Sequence, residues 1–358
     1  MIVKINHIEI YSANAKILSN YFNLAFGFKI IGYLGPETGI KDKVSYQLIQ
    51  NEITLLITGT PQAENEIFDF VKLHGDGVKT IGLFVDDLQN SIAHAITNGA
   101  QLDKEIQQFD SENYKYSTAS IKLMGDVNHQ LIDYEFKKGE LMPNYTHYSN
   151  NGKGEDIGLI SVDHCTANVE SGKLNYWINF YDNVFNFQET LSFDDKEIYS
   201  DKSALVTRVT SNLNSVVQFP IIQPVDGEWK SQIQEFLDYN KGPGIQHIAL
   251  TSSDIIKTAK LLKDSKVGIL EIPDNYYSDL EHELPELSDL ASELKKYNIM
   301  VDKENDGYLF QFFTTPLSDR PTFFIEIIQR EGAKSFGKRN VKTFFQALVD
   351  QQYKRGNI

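Results

Sequence analysis

KGPGIQHIALTSSD, residues 241–254, opens on a Gly-Pro-Gly turn and continues as a short apolar run, the pattern of a strand with a face turned into a core. His247 interrupts that run at an inward-facing position. Taken alone, such a histidine is more often a satisfied core residue than a metal ligand. Its company changes the balance. His164 in ISVDHCTANV and Glu326 in TFFIEIIQR stand in the same kind of strand pattern. Two imidazoles and one carboxylate from three separate strands are the ingredients of a facial triad, which leaves open coordination positions on a non-haem Fe(II).

Working outward, the chain repeats itself. IGLISVDHCTANV (157–169) echoes VKINHIEIYSANA (3–15), and FYDNVFNF (180–187) echoes YFNLAFGF (21–28). GDGVKTIGLFVDD (75–87) aligns with GPGIQHIALTSSD (242–254), and HQLIDYEF (129–136) with TFFIEIIQR (322–330). Each half reads as strand, amphipathic helix, several strands, helix and strands, which implies a mixed α+β class with antiparallel sheets. The first half offers His7, Thr80 and Asp133 where the second offers His164, His247 and Glu326. Threonine is a poor ligand for such a metal, so the site is expected only in the second half, with the first half a structural partner.

The polar, turn-rich stretch 137–156 is read as the linker, which divides the chain into units 1–150 and 151–358. Residues 271–307 read as a helical insertion ending in a turn. Near the C-terminus Val341, Phe344, Phe345 and Leu348 recur at helical spacing, giving a helix with one apolar face that either packs on the core or closes the pocket. A net charge of −15 argues against nucleic acid or an anionic membrane as partner, since either would want a basic face. The single cysteine, Cys165, excludes an internal disulfide and fits a reducing compartment. No signal-like start or membrane-length apolar run is present, so a cytoplasmic protein is expected.

An ordered series of motifs over nearly the whole chain resembles the 4-hydroxyphenylpyruvate dioxygenase family of the vicinal oxygen chelate fold. The series runs HIEIY, AFGF, GPETG and HGDGV, then DHCTANV, LNSVV, KSQIQ, GPGIQHIAL, DNYY, DRPTFFIEIIQR and FGK…N. The resemblance implies tandem βαβββ modules forming two open, barrel-like sheets, with the C-terminal helix closing the second. It implies a non-catalytic unit 1–150 and a catalytic unit 151–358 holding Fe(II) on His164, His247 and Glu326. The partners it implies are an aromatic α-keto acid and O2, in a homo-oligomer without nucleic acid or membrane.

The same resemblance carries Gln232, Gln246, Gln311 and Ser215 over as polar residues of the catalytic pocket. Pro220, Ile222, Phe313, Phe324, Phe336, Asn340, Val341 and Phe345 carry over as its substrate-binding walls. Plain hydrogen bonding to backbone is an equal alternative for Gln232 and Gln246. Two positions depart from the usual dioxygenase pattern: Ile222 stands where a P-x-N pattern has Asn, and Val341 where the helix has Phe. Both resemble the 4-hydroxymandelate synthase branch. An aliphatic residue there lets the ring turn and expose its benzylic carbon, whereas Phe restrains it for ring attack and homogentisate. The DRPTFFIEIIQR run and the KRGN ending resemble the homogentisate-forming branch, which is placed first. A binding protein of this fold without redox chemistry is the remote alternative, disfavoured because all three ligands persist in one half.

Overall fold

The computed structural model describes residues 1–110, 115–137, 139–148, 154–194, 204–225, 227–304 and 307–357. The division at 150/151 and part of the linker lie outside the described residues. The chain opens with β1 (Ile2–Tyr11), α1 (Ala15–Phe26), β2 (Lys29–Leu34), β3 (Val44–Gln50) and β4 (Ile53–Gly59). After α2 (Glu66–His74) the unit recurs as β5 (Gly77–Val85), α3 (Leu88–Thr97), β6 (Leu102–Asp110), β7 (Lys115–Lys122) and β8 (Asn128–Ile132). A short β9 (Thr146–His147) adds an edge. The third unit is β10 (Leu159–Asn168), α4 (Leu174–Phe185), β11 (Gln188–Phe193), β12 (Ala204–Ser211) and β13 (Gln218–Val225). α5 (Gln232–Asn240) then leads to β14 (Gly244–Ser252) and α6 (Ile255–Asp264). The insertion contributes α7 (Asp274–Glu283) and α8 (Ser288–Lys296), and the fourth unit closes with β15 (Met300–Glu304), β16 (Gly307–Phe313) and β17 (Phe324–Glu331). α9 (Lys338–Arg355) ends the chain. Within the insertion, Met300–Glu304 form β15, which pairs with β16; residues 305–306, where the turn was expected, lie outside the described residues.

The four βαβββ units make two sheets, ordered β6-β7-β8-β5-β1-β4-β3-β2-β9 and β11-β12-β13-β10-β14-β17-β16-β15. In each sheet two units meet through their first strands, β1 against β5 and β10 against β14, both antiparallel. The repeat extends to helix chemistry. Asp87 and Asp254 cap α3 and α6 by accepting from backbone N–H groups three residues on, each at 3.0 Å. One apolar cluster runs through both sheets, from Phe22, Phe26 and Phe28 to Phe187, Phe219 and Ile325. β14 is buried along nearly its whole length, so a polar side chain on it must find a partner inside.

The end of α1 tests this packing. Gly27 sits in the left-handed region at φ 74, and a Cβ built there would stand 2.0 Å from the backbone oxygen of Glu155. Gly27→Ala is expected to cost about 1–3 kcal/mol, the scale of one strained backbone position, read as a lower denaturant midpoint at unchanged slope.

Candidate metal centre

The three neighbouring strands β10, β14 and β17 carry the three side chains. Register places His247 opposite Thr166 on one side and Phe324 on the other, while Ala249 lies opposite both His164 and Glu326. All three ligand candidates therefore rise on the same face, one residue pair apart. His164 Nε2 and His247 Nε2 lie 3.1 and 3.2 Å from Glu326 Oε2. One donor atom from each residue falls within 4.8 Å of the others, all buried, the only such buried group of three among the described residues.

Each ligand is held from behind. His164 Nδ1 is 2.8 Å from Asp163 Oδ1, and His247 Nδ1 is 3.0 Å from Gln246 Oε1. Both partners accept hydrogen bonds, so each imidazole keeps a proton on Nδ1 and turns Nε2 inward, where its lone pair is available once a cation takes the place of the shared proton. Glu326 Oε1 accepts from Gln311 Nε2 at 2.7 Å, which leaves Oε2 facing the histidines. Two imidazole nitrogens and a carboxylate oxygen converging in a buried site make a donor set that fits a divalent metal.

The electrostatics agree. Burial disfavours a charged His164, yet Glu326 and Asp163 outweigh it and raise the group to about 9. Burial lowers His247. Burial likewise opposes ionisation of Glu326, but the two imidazoles hold its carboxyl down at about 2. The metal-free centre thus keeps one proton that a bound cation replaces.

Above the triad is a cavity of about 60 Å³. It brings together Pro220, Ile222, Gln232, Gln311, Phe313, Phe336, Asn340, Val341 and Phe345. Phe344 faces in as well and stacks on Phe313 with ring centres 3.8 Å apart. Gln246 and Phe324 stand behind His247 instead of lining the cavity, Gln246 bonding its Nδ1 and Phe324 stacking on its ring at 5.0 Å. Gln246 donates in turn to Gln232 at 3.0 Å.

Ser215 is a correction. β12 ends at Ser211 and the hairpin turns over 212–217, so Ser215 lies past the sheet with φ 54. It faces a separate groove of about 1410 Å³. Val209, paired with Pro220 across the hairpin, takes the place in the cavity. Sequence reasoning also missed Thr166, Phe193, Leu205 and Thr207 on the lining. The signal was there for two of these, because Leu205 and Thr207 alternate with Val209 along one strand. Thr166 follows His164 at the same period, and its buried hydroxyl has no partner among the described residues.

The first half's counterpart also needs correcting. Gly82 pairs with His7 on one side and Gln130 on the other, as Ala249 pairs with His164 and Glu326. Gln130, not Asp133, therefore occupies the carboxylate position; Asp133 lies beyond β8 and accepts from the Ser117 N–H. The His7 ring folds over Gly82, where an added Cβ would meet it at 2.2 Å. Burial lowers His7 to about 4. A neutral imidazole, a threonine and an amide do not make a divalent-metal site.

A tandem βαβββ scaffold with a buried His, His, Glu centre defines a metalloenzyme of the vicinal oxygen chelate class. Residues 161–312 match the family model described as Glyoxalase/Bleomycin resistance protein/Dioxygenase superfamily. The chain is 34% identical to 4-hydroxyphenylpyruvate dioxygenase of Dictyostelium discoideum over 99% of both chains. It is 33% identical to that of Yarrowia lipolytica over 99% of this chain and 93% of the relative. Among solved structures, a mutant of 4-hydroxymandelate synthase from Streptomyces coelicolor superposes with a TM-score of 0.88 at 27% identity, covering 98% of this chain and 99% of the other. The chain belongs to the 4-hydroxyphenylpyruvate dioxygenase family, and it is a dioxygenase. No helix among the described residues is long and apolar enough to cross a membrane.

Proposed function

We propose that this chain converts 4-hydroxyphenylpyruvate and O2 into homogentisate and CO2 at an Fe(II) held by His164, His247 and Glu326. The observation that carries the reading is the convergence of those three buried donors beneath an aromatic-walled cavity. Fe(II), when bound, would supply the open positions at which keto acid and O2 meet and would pass the substrate's electrons to O2. The protein supplies orientation and dryness. Phe313, Phe336, Phe344 and Phe345 wall the aromatic ring, and Gln232, Gln311, Asn340 and Thr166 offer polar groups to its substituents. With α9 docked the cavity of about 60 Å³ is smaller than the about 150 Å³ that admits benzene, so side chains or α9 must yield on entry and exclude water once closed. Unit 1–150 serves as a non-catalytic partner of the catalytic unit 151–358. The buried, unpaired Cys165 suits a cytoplasmic setting, and a homo-oligomer is the expected state.

A second reading, 4-hydroxymandelate as product, is favoured by one observation: Ile222 and Val341 both lie on the cavity wall. The two products have the same elemental formula, so mass alone does not separate them. After anaerobic Fe(II) loading, keto acid addition and exposure to O2, NMR is expected to show a trisubstituted ring with a methylene. A para-substituted ring bearing a benzylic CH–OH would transfer the assignment to the second reading. Absence of any turnover with Fe(II) would remove both.

A further inference from the structure

Each of the three ligand residues is braced by side chains that lead to the same element, the C-terminal helix. From Glu326 the chain of bonds is short: Gln311 donates to it, and Asn340 Nδ2, in the first turn of α9, donates to Gln311 Oε1 at 2.8 Å. Asn340 is 1% exposed, so this bond has no water competing for it. From His164 the route runs through Asp163, which Arg330 grips with two bonds of 2.8 and 2.9 Å. Arg330 also donates to the Ser335 carbonyl at 2.5 Å and lies 5.3 Å from the ring of Phe336, both in the segment that enters α9. From His247 the route runs through Gln246 to Gln232, the first residue of α5. One turn along α5, the buried carboxylate of Glu235 receives Arg355, the last residue of α9, at 2.5 and 3.3 Å.

The helix thus touches the outer support of Glu326 at its first turn, the segment that enters it touches that of His164, and its last residue grips α5, the helix that carries the support of His247. Outer partners of this kind orient ligands, and their loss typically costs about 10–100-fold in metal affinity. We propose that docking of α9 and occupation of the metal centre are thermodynamically coupled, with Asn340 and Arg355 acting as positioning residues. Docking sets the three donors at their bonding positions. By linkage, metal binding must tighten the helix to the same degree. The proposal rests on the metal centre described above and goes beyond a lid, because a lid need only cover substrate.

The test uses the full chain and Co(II), whose visible spectrum reports ligation without turnover. Affinity is measured by titration, and amide hydrogen exchange over 341–355 is followed with and without metal. Asn340→Ala and Arg355→Ala are compared with wild type and with Gln346→Ala, an exposed position on the same helix. Glu235→Gln/Arg355→Gln removes both charges and leaves no lone buried carboxylate. Arg355→Lys keeps the charge and is expected to restore most of the affinity.

The expected result is about a tenfold rise in Co(II) Kd for Asn340→Ala, Arg355→Ala and the double variant, and none for Gln346→Ala. In wild type, Co(II) is expected to slow exchange in α9 by a similar factor, and the linking variants lose that response while exchange in β14 and β17 stays slow. Wild-type Co(II) binding with unchanged affinity in all linking variants, or α9 exchange indifferent to metal, overturns the coupling alone. Failure of wild type to bind Co(II) or Fe(II) overturns the metal reading itself.

Discussion

Alanine at His164, His247 or Glu326 is expected to abolish iron retention and to bring turnover below detection. Three protein ligands are the minimum for a facial site, and each of these residues also balances the charge of the other two. Loss of Glu326 leaves the two inward Nε2 atoms with no anion between them, and loss of either histidine leaves a buried carboxylate short of a partner. The drop in metal affinity should exceed the about 100-fold that marks the upper range for a supporting residue. His7→Ala, Thr80→Ala, Gln130→Ala and Asp133→Ala should leave iron stoichiometry unchanged, because the first half has no converging donor set. Thermal melts offer a second readout: metal at a hundredfold excess over its Kd stabilises wild type by about 2.7 kcal/mol and the three alanine variants by nothing. A second iron in the first half, or retained activity in His247→Ala, would overturn the assignment.

Val341→Phe is expected to lower the proportion of 4-hydroxymandelate relative to homogentisate about tenfold, which requires only about 1.4 kcal/mol between two competing transition states. Val341 lies on α9 one turn before Phe344 and Phe345, and with Ile222 it packs against Phe193, Leu205, Val209, Phe336 and Phe345. The pair therefore shapes one wall of the cavity. A phenyl group at 341 fills space beside the substrate ring and restrains its rotation, and a single packing contact can supply the energy needed. Ile222→Asn adds a polar partner on the same wall, so the double variant should shift further in the same direction. Quantitative NMR of the product mixture reads the ratio. If wild type forms only homogentisate and both variants leave the product unchanged, these positions do not control the outcome.

Strand alternation and the internal repeat were enough to single out His164, His247 and Glu326, because a polar side chain at an inward position of an apolar strand is a local anomaly visible without coordinates. The same local periodicity marked α9 and its apolar face, and the repeat implied that only one half binds metal. Long-range register was less legible. Asp133 and Gln130 are both polar and near the end of a strand, and only the pairing of β5 with β8 shows which one faces the centre. Ser215 failed for a related reason: the residue opposite Pro220 depends on where the β12–β13 hairpin turns, and the turn at 212–217 hands that place to Val209. Of the braces behind the ligands, Gln232, Gln246, Gln311 and Asn340 stood out along the chain, but the long-range ion pairs did not. Asp163 and Arg330 are 167 residues apart, and Glu235 and Arg355 are 120 apart. Side-chain period and turn chemistry are properties of neighbouring residues and can be read along the chain. Which distant groups share a buried hydrogen bond is decided when sheet order, strand register and helix docking are satisfied together.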